Sequence, residues 1–226
     1  MDGNRRYGRA KHGDPLKARL TGHSDGGKVL GDFLGWCMEL GVEMVTVFAF
    51  STENWRRSPP EVELLMDILC QYCQEFTENA TERNARIHVL ASDEQQLPDR
   101  VRDAIRLAEE GTRHCTGFVL NVCLSYGARQ EIVQACRRVA SAAVSGAIGV
   151  ADIDEAVFAR QLLTAGIPDP DVLIRTSGEC RISNFLLYQL AYTEMFFVPK
   201  LWPEFTKKDF LDIVGDYHRR ERRYGG

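Results

Sequence analysis

"GFVLNVCLSYGARQEIVQACRRVASAAV", residues 117–144, contains the turn that decides the fold. Val119, Leu120, Val122 and Leu124 are bunched rather than strictly alternating, the pattern of a strand buried on both faces. Gly127 interrupts the run, and from there Ile132, Cys136, Val139 and Ala143 recur at helical spacing. A buried strand that turns straight into a helix is half of a βαβ unit, and it needs parallel neighbours.

The neighbours can be read outward from this turn. "VEMVTVFAF" (42–50) and "ARIHVLA" (85–91) have the composition of buried strands, and "DVLIR" (171–175) and "EMFFV" (194–198) of two more. Apolar periodicity predicts helices over 24–40, where Gly41 is a stop, over 97–110 and over 206–223. Pro59 and Pro60 mark the start of another, "EVELLMDILCQYCQEF". Alternating strands and helices give an α/β class: a central, mainly parallel sheet flanked by helices, within a single domain spanning residues 1–226.

Composition narrows the function. A net charge of −4, from 28 basic and 32 acidic residues, gives no general attraction to nucleic acid, so any anion site must be local. The seven cysteines have no disulfide-like spacing and fit a reducing compartment. Cys70 and Cys73 form a CxxC, but they lie in a helical pattern with no second pair, so a core role is expected. No apolar run approaches the ~20 residues of a membrane span, and the first residues carry no signal region.

In parallel sheets, ligands gather beyond the carboxyl ends of the strands. That places "FSTENWRRS" (50–58), "SYGARQE" (125–131) and "RTSGECRIS" (175–183) at one rim. Arginines, hydroxyls and accessible backbone N–H groups suit a diphosphate. Neither GxxxxGK[ST] nor GxGxxG is present, which disfavours P-loop and dinucleotide chemistry. Diphosphate chemistry calls for Mg²⁺ held by hard oxygens, and Asp2, Glu179 and Glu194 are candidates.

Seven motifs in order, "MDGNRRY" (1–7), "GHSDGG" (22–27), "FAFSTENWRRSPPEV" (48–62), "LSYGARQEI" (124–132), "RTSGECRISNFLLYQLAYTEMFF" (175–197), "LWPEF" (201–205) and "RRERRYGG" (219–226), resemble the signature of the cis-prenyltransferases. These are the (Z)-polyprenyl diphosphate synthases, which include undecaprenyl and dehydrodolichyl diphosphate synthases. The resemblance implies Mg²⁺-dependent condensation of isopentenyl diphosphate with an allylic prenyl diphosphate, and a homodimer. It implies a cytoplasmic enzyme, with peripheral membrane association through the lipid product left open. The rivals are a non-catalytic partner subunit of a heteromeric prenyltransferase and a diphosphate hydrolase.

Residue roles follow from the resemblance. Asp2 is implied as the essential carboxylate holding Mg²⁺, with Glu194 as a second. Gly3, Asn4, Arg6, Arg19 and His23 would surround the allylic diphosphate. Ser51, Asn54, Trp55 and Arg57 would form a loop closing over both substrates, with Glu61 in support and Asn54 or a diphosphate oxygen as proton acceptor. Arg175, Arg181 and Ser183 would bind isopentenyl diphosphate, with Glu179 orienting the arginines or closing the dimer contact. Arg223 and Gly225 would reach the partner's site. The family carries an apolar strand directly before its Asp-Gly-Asn; with Met1 as the first residue here, Asp2 is expected to lack that anchor.

Overall fold

The computed structural model describes residues 2–220, with Pro15 and Leu16 described for backbone only. The chain divides into two compact units, one of residues 1–41, 169–181 and 189–226, the other of residues 42–168 and 182–188.

The second unit contains the strand–turn–helix of the opening stretch. Strands β1 (Met44–Ser51), β2 (Ala85–Leu90) and β3 (Phe118–Tyr126) form a parallel sheet in the order β1-β3-β2. As the middle strand, β3 is the most completely buried of the three, which is why its sequence is almost uninterruptedly apolar. Helices α3 (Pro59–Ala80) and α4 (Asp99–Thr112) contribute Leu65, Met66 and Val101 to a core shared with Phe50 and Leu124 of the sheet and with Leu97. Helix α5 (Ala128–Val144) follows β3 after one residue, and the short α6 (Glu155–Ala159) completes the unit. Cys70 and Cys73 lie on α3, where burial pushes the Cys73 thiol up to about 11 and keeps it protonated at neutral pH. Among the described residues no three His, Cys, Asp or Glu side chains converge on a metal position.

The first unit contains α1 (Asn4–Lys11), α2 (Pro15–Glu39), β4 (Val172–Arg175), β5 (Glu194–Phe197) and α7 (Lys207–Arg219). Strands β4 and β5 pair in parallel, with Val172 opposite Glu194 and Arg175 opposite Phe197. Phe33 of α2 makes edge contacts with Trp202, Phe205 and Phe210, the apolar core of this unit.

Helix α2 starts nine residues before the expected position 24, and α1 is not signalled by apolar periodicity at all. Its cause is backbone contact instead. A β-carbon on Gly8 would fall into the Ala18 carbonyl, one on Gly22 into the Asn4 carbonyl and one on Gly26 into the Asn4 side chain. The two helices therefore approach as closely as they do only because these positions are glycine. Helix α7 ends at Arg219, short of the expected 223, because the backbone at Arg220 is extended. No helix among the described residues is long and apolar enough to cross a membrane.

Candidate active site

In the first unit, the chain immediately before α1 meets the end of β4. The Asp2 carbonyl accepts hydrogen bonds from Thr176 Oγ1 and from the Trp202 N–H, each at 3.0 Å. These bonds hold the Asp2 backbone beside the end of β4. Its carboxylate accepts from Arg175 Nε at 2.8 Å, and Arg175 also donates to the Arg181 carbonyl, drawing the 175–181 loop into a closed turn. Arg6 Nη2 donates to the Ser177 carbonyl at 3.1 Å and to Glu179 Oε1 at 3.2 Å, while the other Glu179 oxygen pairs with Arg181. Glu179 thus bridges two guanidinium groups.

Gly3, between Asp2 and the helix, has φ +107°, and a β-carbon there would strike Ser177 Oγ and Leu201. That Ser177 hydroxyl is buried and has no hydrogen-bond partner among the described residues. Helix α1 starts at Asn4 with no acidic residue in its first turn, so its positive end is not neutralised from within. Arg19 and His23, four residues apart on α2, border the stripe of Gly22 and Gly26 that meets Asn4. Asp2, Gly3, Asn4, Arg6, Arg175 and Arg181 are therefore gathered at one place.

Glu194 lies elsewhere in the same unit. It opens β5, three residues before the partner of Arg175, about 10 Å along the ladder. Its carboxylate pairs with Arg220, whose guanidinium lies 4.0 Å over the Phe196 ring. Asp2 keeps a half-exposed carboxylate beside arginines, a donor set that fits a Mg²⁺ shared with phosphate oxygens.

In the second unit, the loop after β1 is held by hydrogen bonds and one ion pair. Asn54 Oδ1 accepts from the Ser51 N–H at 3.1 Å; because a backbone N–H can only donate, the amide orientation is fixed and its oxygen is in use. An amide oxygen has two lone pairs, so Asn54 keeps one acceptor position beside its Nδ2 donors. Trp55 stacks edge-on against Phe50 at 4.9 Å and donates from Nε1 to Ser125 Oγ at 2.9 Å. Arg57 pairs at 3.2 Å with Glu61, which is buried. Ser183 and Asn184 both have positive φ, 54° and 64°, in the turn that follows Arg181 in sequence.

Behind this loop, Tyr126 donates from its hydroxyl to Glu131 Oε2 at 2.6 Å, and Glu131 Oε1 accepts from the Leu163 N–H at 2.8 Å. Burial, followed by the Glu131 charge, pushes the Tyr126 phenol far up, so it remains a donor. Ser92 accepts from the Gly127 N–H at 2.8 Å and so braces the turn into α5. Sequence reading missed Thr176, Ser177, Trp202, Ser125 and Asn184. For Asn184 a signal existed, since Asn tolerates left-handed backbone and follows Ser183 directly. Arg223 and Gly225 lie outside the described residues.

Comparison with known proteins identifies the family. The prenyltransferase family described as putative undecaprenyl diphosphate synthase matches residues 1–225. The chain is 47% identical over 227 residues to a tritrans,polycis-undecaprenyl-diphosphate synthase (geranylgeranyl-diphosphate specific) of Pyrococcus horikoshii, covering 100% of this chain and 84% of that protein. It is 42% identical over 226 residues to an isoprenyl transferase of Geobacillus kaustophilus, with 100% and 86% covered. Among solved structures, lavandulyl diphosphate synthase from Lavandula x intermedia, in complex with dimethylallyl diphosphate, superposes with a TM-score of 0.93 at 33% identity, covering 100% of this chain and 95% of that one. A probable undecaprenyl diphosphate synthase from Campylobacter jejuni gives a TM-score of 0.80 at 33% identity, over 90% and 93%. Nothing in these likenesses supports a non-catalytic subunit: the chain belongs to the undecaprenyl diphosphate synthase family of cis-prenyltransferases, and it is a prenyl-transferring enzyme.

Proposed function

We propose that the protein condenses isopentenyl diphosphate with an allylic prenyl diphosphate, farnesyl or longer, to give a (Z)-polyprenyl diphosphate. The observation that carries this reading is the gathering of Arg6, Arg175 and Arg181 with Asp2 at the positive end of α1. Three guanidinium groups against the carboxylates of Asp2 and Glu179 leave one positive charge, and the helix end adds to it. Such a place favours a diphosphate over a neutral ligand.

In this reading Arg6, Gly3, Asn4, Arg19 and His23 hold the allylic diphosphate, and the buried Ser177 hydroxyl offers it a donor. Arg175, Arg181 and Ser183 hold the isopentenyl diphosphate. Asp2 and phosphate oxygens would hold Mg²⁺, which neutralises charge on the departing diphosphate. Glu194 enters as a second metal carboxylate only if its pair with Arg220 opens. Ser51, Trp55, Arg57 and Glu61 are substrate-binding residues in this reading, and Asn54 is a catalytic one. Ionisation of the allylic C–O bond lets the isopentenyl double bond form the new C–C bond. The proton then lost from isopentenyl C2 goes to a diphosphate oxygen or to Asn54 Oδ1, whose second lone pair is not used by the Ser51 N–H. A homodimer, and a single catalytic domain made of both compact units, belong to the same reading; the unbroken family match over residues 1–225 supports the latter.

The relatives named as geranylgeranyl-diphosphate specific, among them the one from Pyrococcus horikoshii, make geranylgeranyl diphosphate the first primer to test beside farnesyl diphosphate. Protein, Mg²⁺, either primer and labelled isopentenyl diphosphate should yield extractable lipid whose mass grows in five-carbon steps, and chelation should stop it. Phosphate release without chain growth would instead establish a hydrolase.

A further inference from the structure

Asn184, next to Ser183 in sequence, makes four hydrogen bonds with both its backbone and its side chain. Its carbonyl accepts from the Ala128 N–H and its Oδ1 from the Arg129 N–H, both at 2.9 Å, so it closes the first turn of α5 from outside that helix. The Arg129 contact fixes the amide orientation, and Nδ2 therefore faces the other way. It donates to Glu53 Oε1 at 3.0 Å and to Gln130 Oε1 at 3.2 Å. Gln130 in turn donates to Thr52 Oγ1 at 3.3 Å.

Two neighbouring residues of the loop after β1 are thus tied to a residue adjacent in sequence to Ser183. Glu53 is an ionised acceptor: burial raises its carboxyl pKa, but hydrogen bonds from its own backbone, Asn184, Ser51 and Thr52 bring it below the ordinary value.

We propose that Asn184 is a positioning residue for condensation, holding the Ser51–Arg57 loop in fixed relation to Ser183 through its bond to Glu53. This rests on the reading of Ser183 as a ligand of isopentenyl diphosphate and of the loop as a substrate-facing element. The bond would then keep Ser183 and the loop carrying Trp55 and Arg57 in one arrangement, so that they engage substrate together rather than separately.

The bond can be inverted without emptying the space. Asn184→Asp keeps the acceptor for the Arg129 N–H and the backbone bond to Ala128, but sets two carboxylates against each other at Glu53. Gln130 can rotate its amide to meet an Asp; Glu53 cannot. Glu53→Gln can then donate to that Asp, restoring the link with donor and acceptor exchanged.

The experiment measures kcat, KM for each substrate and the melting midpoint for Asn184→Asp, Glu53→Gln and the double variant. Asn184→Asp is expected to lower kcat/KM for isopentenyl diphosphate about tenfold, the cost of losing a hydrogen bond to a charged group, at an unchanged melting midpoint. Glu53→Gln alone should lose little, and the double variant should recover most of the activity. A double variant no better than Asn184→Asp, or a loss confined to the melting midpoint, would overturn the proposal. Ser183→Ala leaves the Asn184 bonds in place and reports on the underlying reading. Isopentenyl diphosphate KM unmoved by Ser183→Ala would remove the proposal together with that reading; KM raised by it but no rescue at Asn184 would overturn the positioning role alone.

Discussion

The cluster around Asp2 and the loop after β1 are built from opposite materials. At Asp2, five charged side chains interlock through partly exposed ion pairs, with Arg6 and Arg181 more than half exposed and only Arg175 largely buried. Exposed pairs of this kind contribute little to stability, roughly 0–1 kcal/mol each. At the loop after β1, the side chains of Trp55, Ser125, Asn54 and Asn184 are satisfied one by one, the carboxylates of Glu53 and Glu61 are held by Asn184 and Arg57, and behind them lies a fully buried tyrosine–carboxylate pair. The difference separates two tasks. On the proposed function, the first region keeps mutually repelling cations close together so that a polyanion can replace their weak internal partners. The second keeps its backbone still, and its bonds are worth most when nothing exchanges them.

The comparison breaks or sharpens under three substitutions. Asp2→Ala should abolish condensation, a loss of about a thousandfold or more in kcat, while the melting midpoint stays put; turnover near the native rate would remove Asp2 from metal binding. Arg181→Ala should raise KM for isopentenyl diphosphate roughly thirtyfold by removing a charge-assisted fork, with little effect on kcat or melting. An effect restricted to the allylic primer would exchange the two assigned diphosphate positions. Tyr126→Phe should act in the opposite sense. It takes one hydrogen bond from the buried Glu131, costing about 2 kcal/mol, and lowers the melting midpoint by about 4–8 °C for a chain of this length, while KM for both substrates stays near native. If Tyr126→Phe shifted KM and spared melting, the scaffold reading of the second region would fall.

The fold was legible wherever a segment buries an apolar face. The run 117–126 announced β3, and Pro59-Pro60 announced α3, because both signals arise from burial and local backbone chemistry. Helix α1 was illegible because Arg5, Arg6, Arg9 and Lys11 give it no apolar stripe, and its partner surface is glycine backbone. The site was legible as residue types but not as bonds. Arginines and hydroxyls near Arg175 could be read as a diphosphate site, yet the anchoring of Asp2 by Thr176 and Trp202 joins residues more than 170 positions apart. The bond from the Ser51 N–H to Asn54 depends on the local turn that brings the two together, and nothing in the residue order fixes that turn.

Gly8, Gly22 and Gly26 touch no proposed substrate, yet each faces another backbone or Asn4 with no room for a methyl group. A saturation scan of this protein would score them as intolerant as the residues that do chemistry. Intolerance there reports the separation of two helix axes, and only a variant that keeps its melting temperature can be counted toward a map of the active centre.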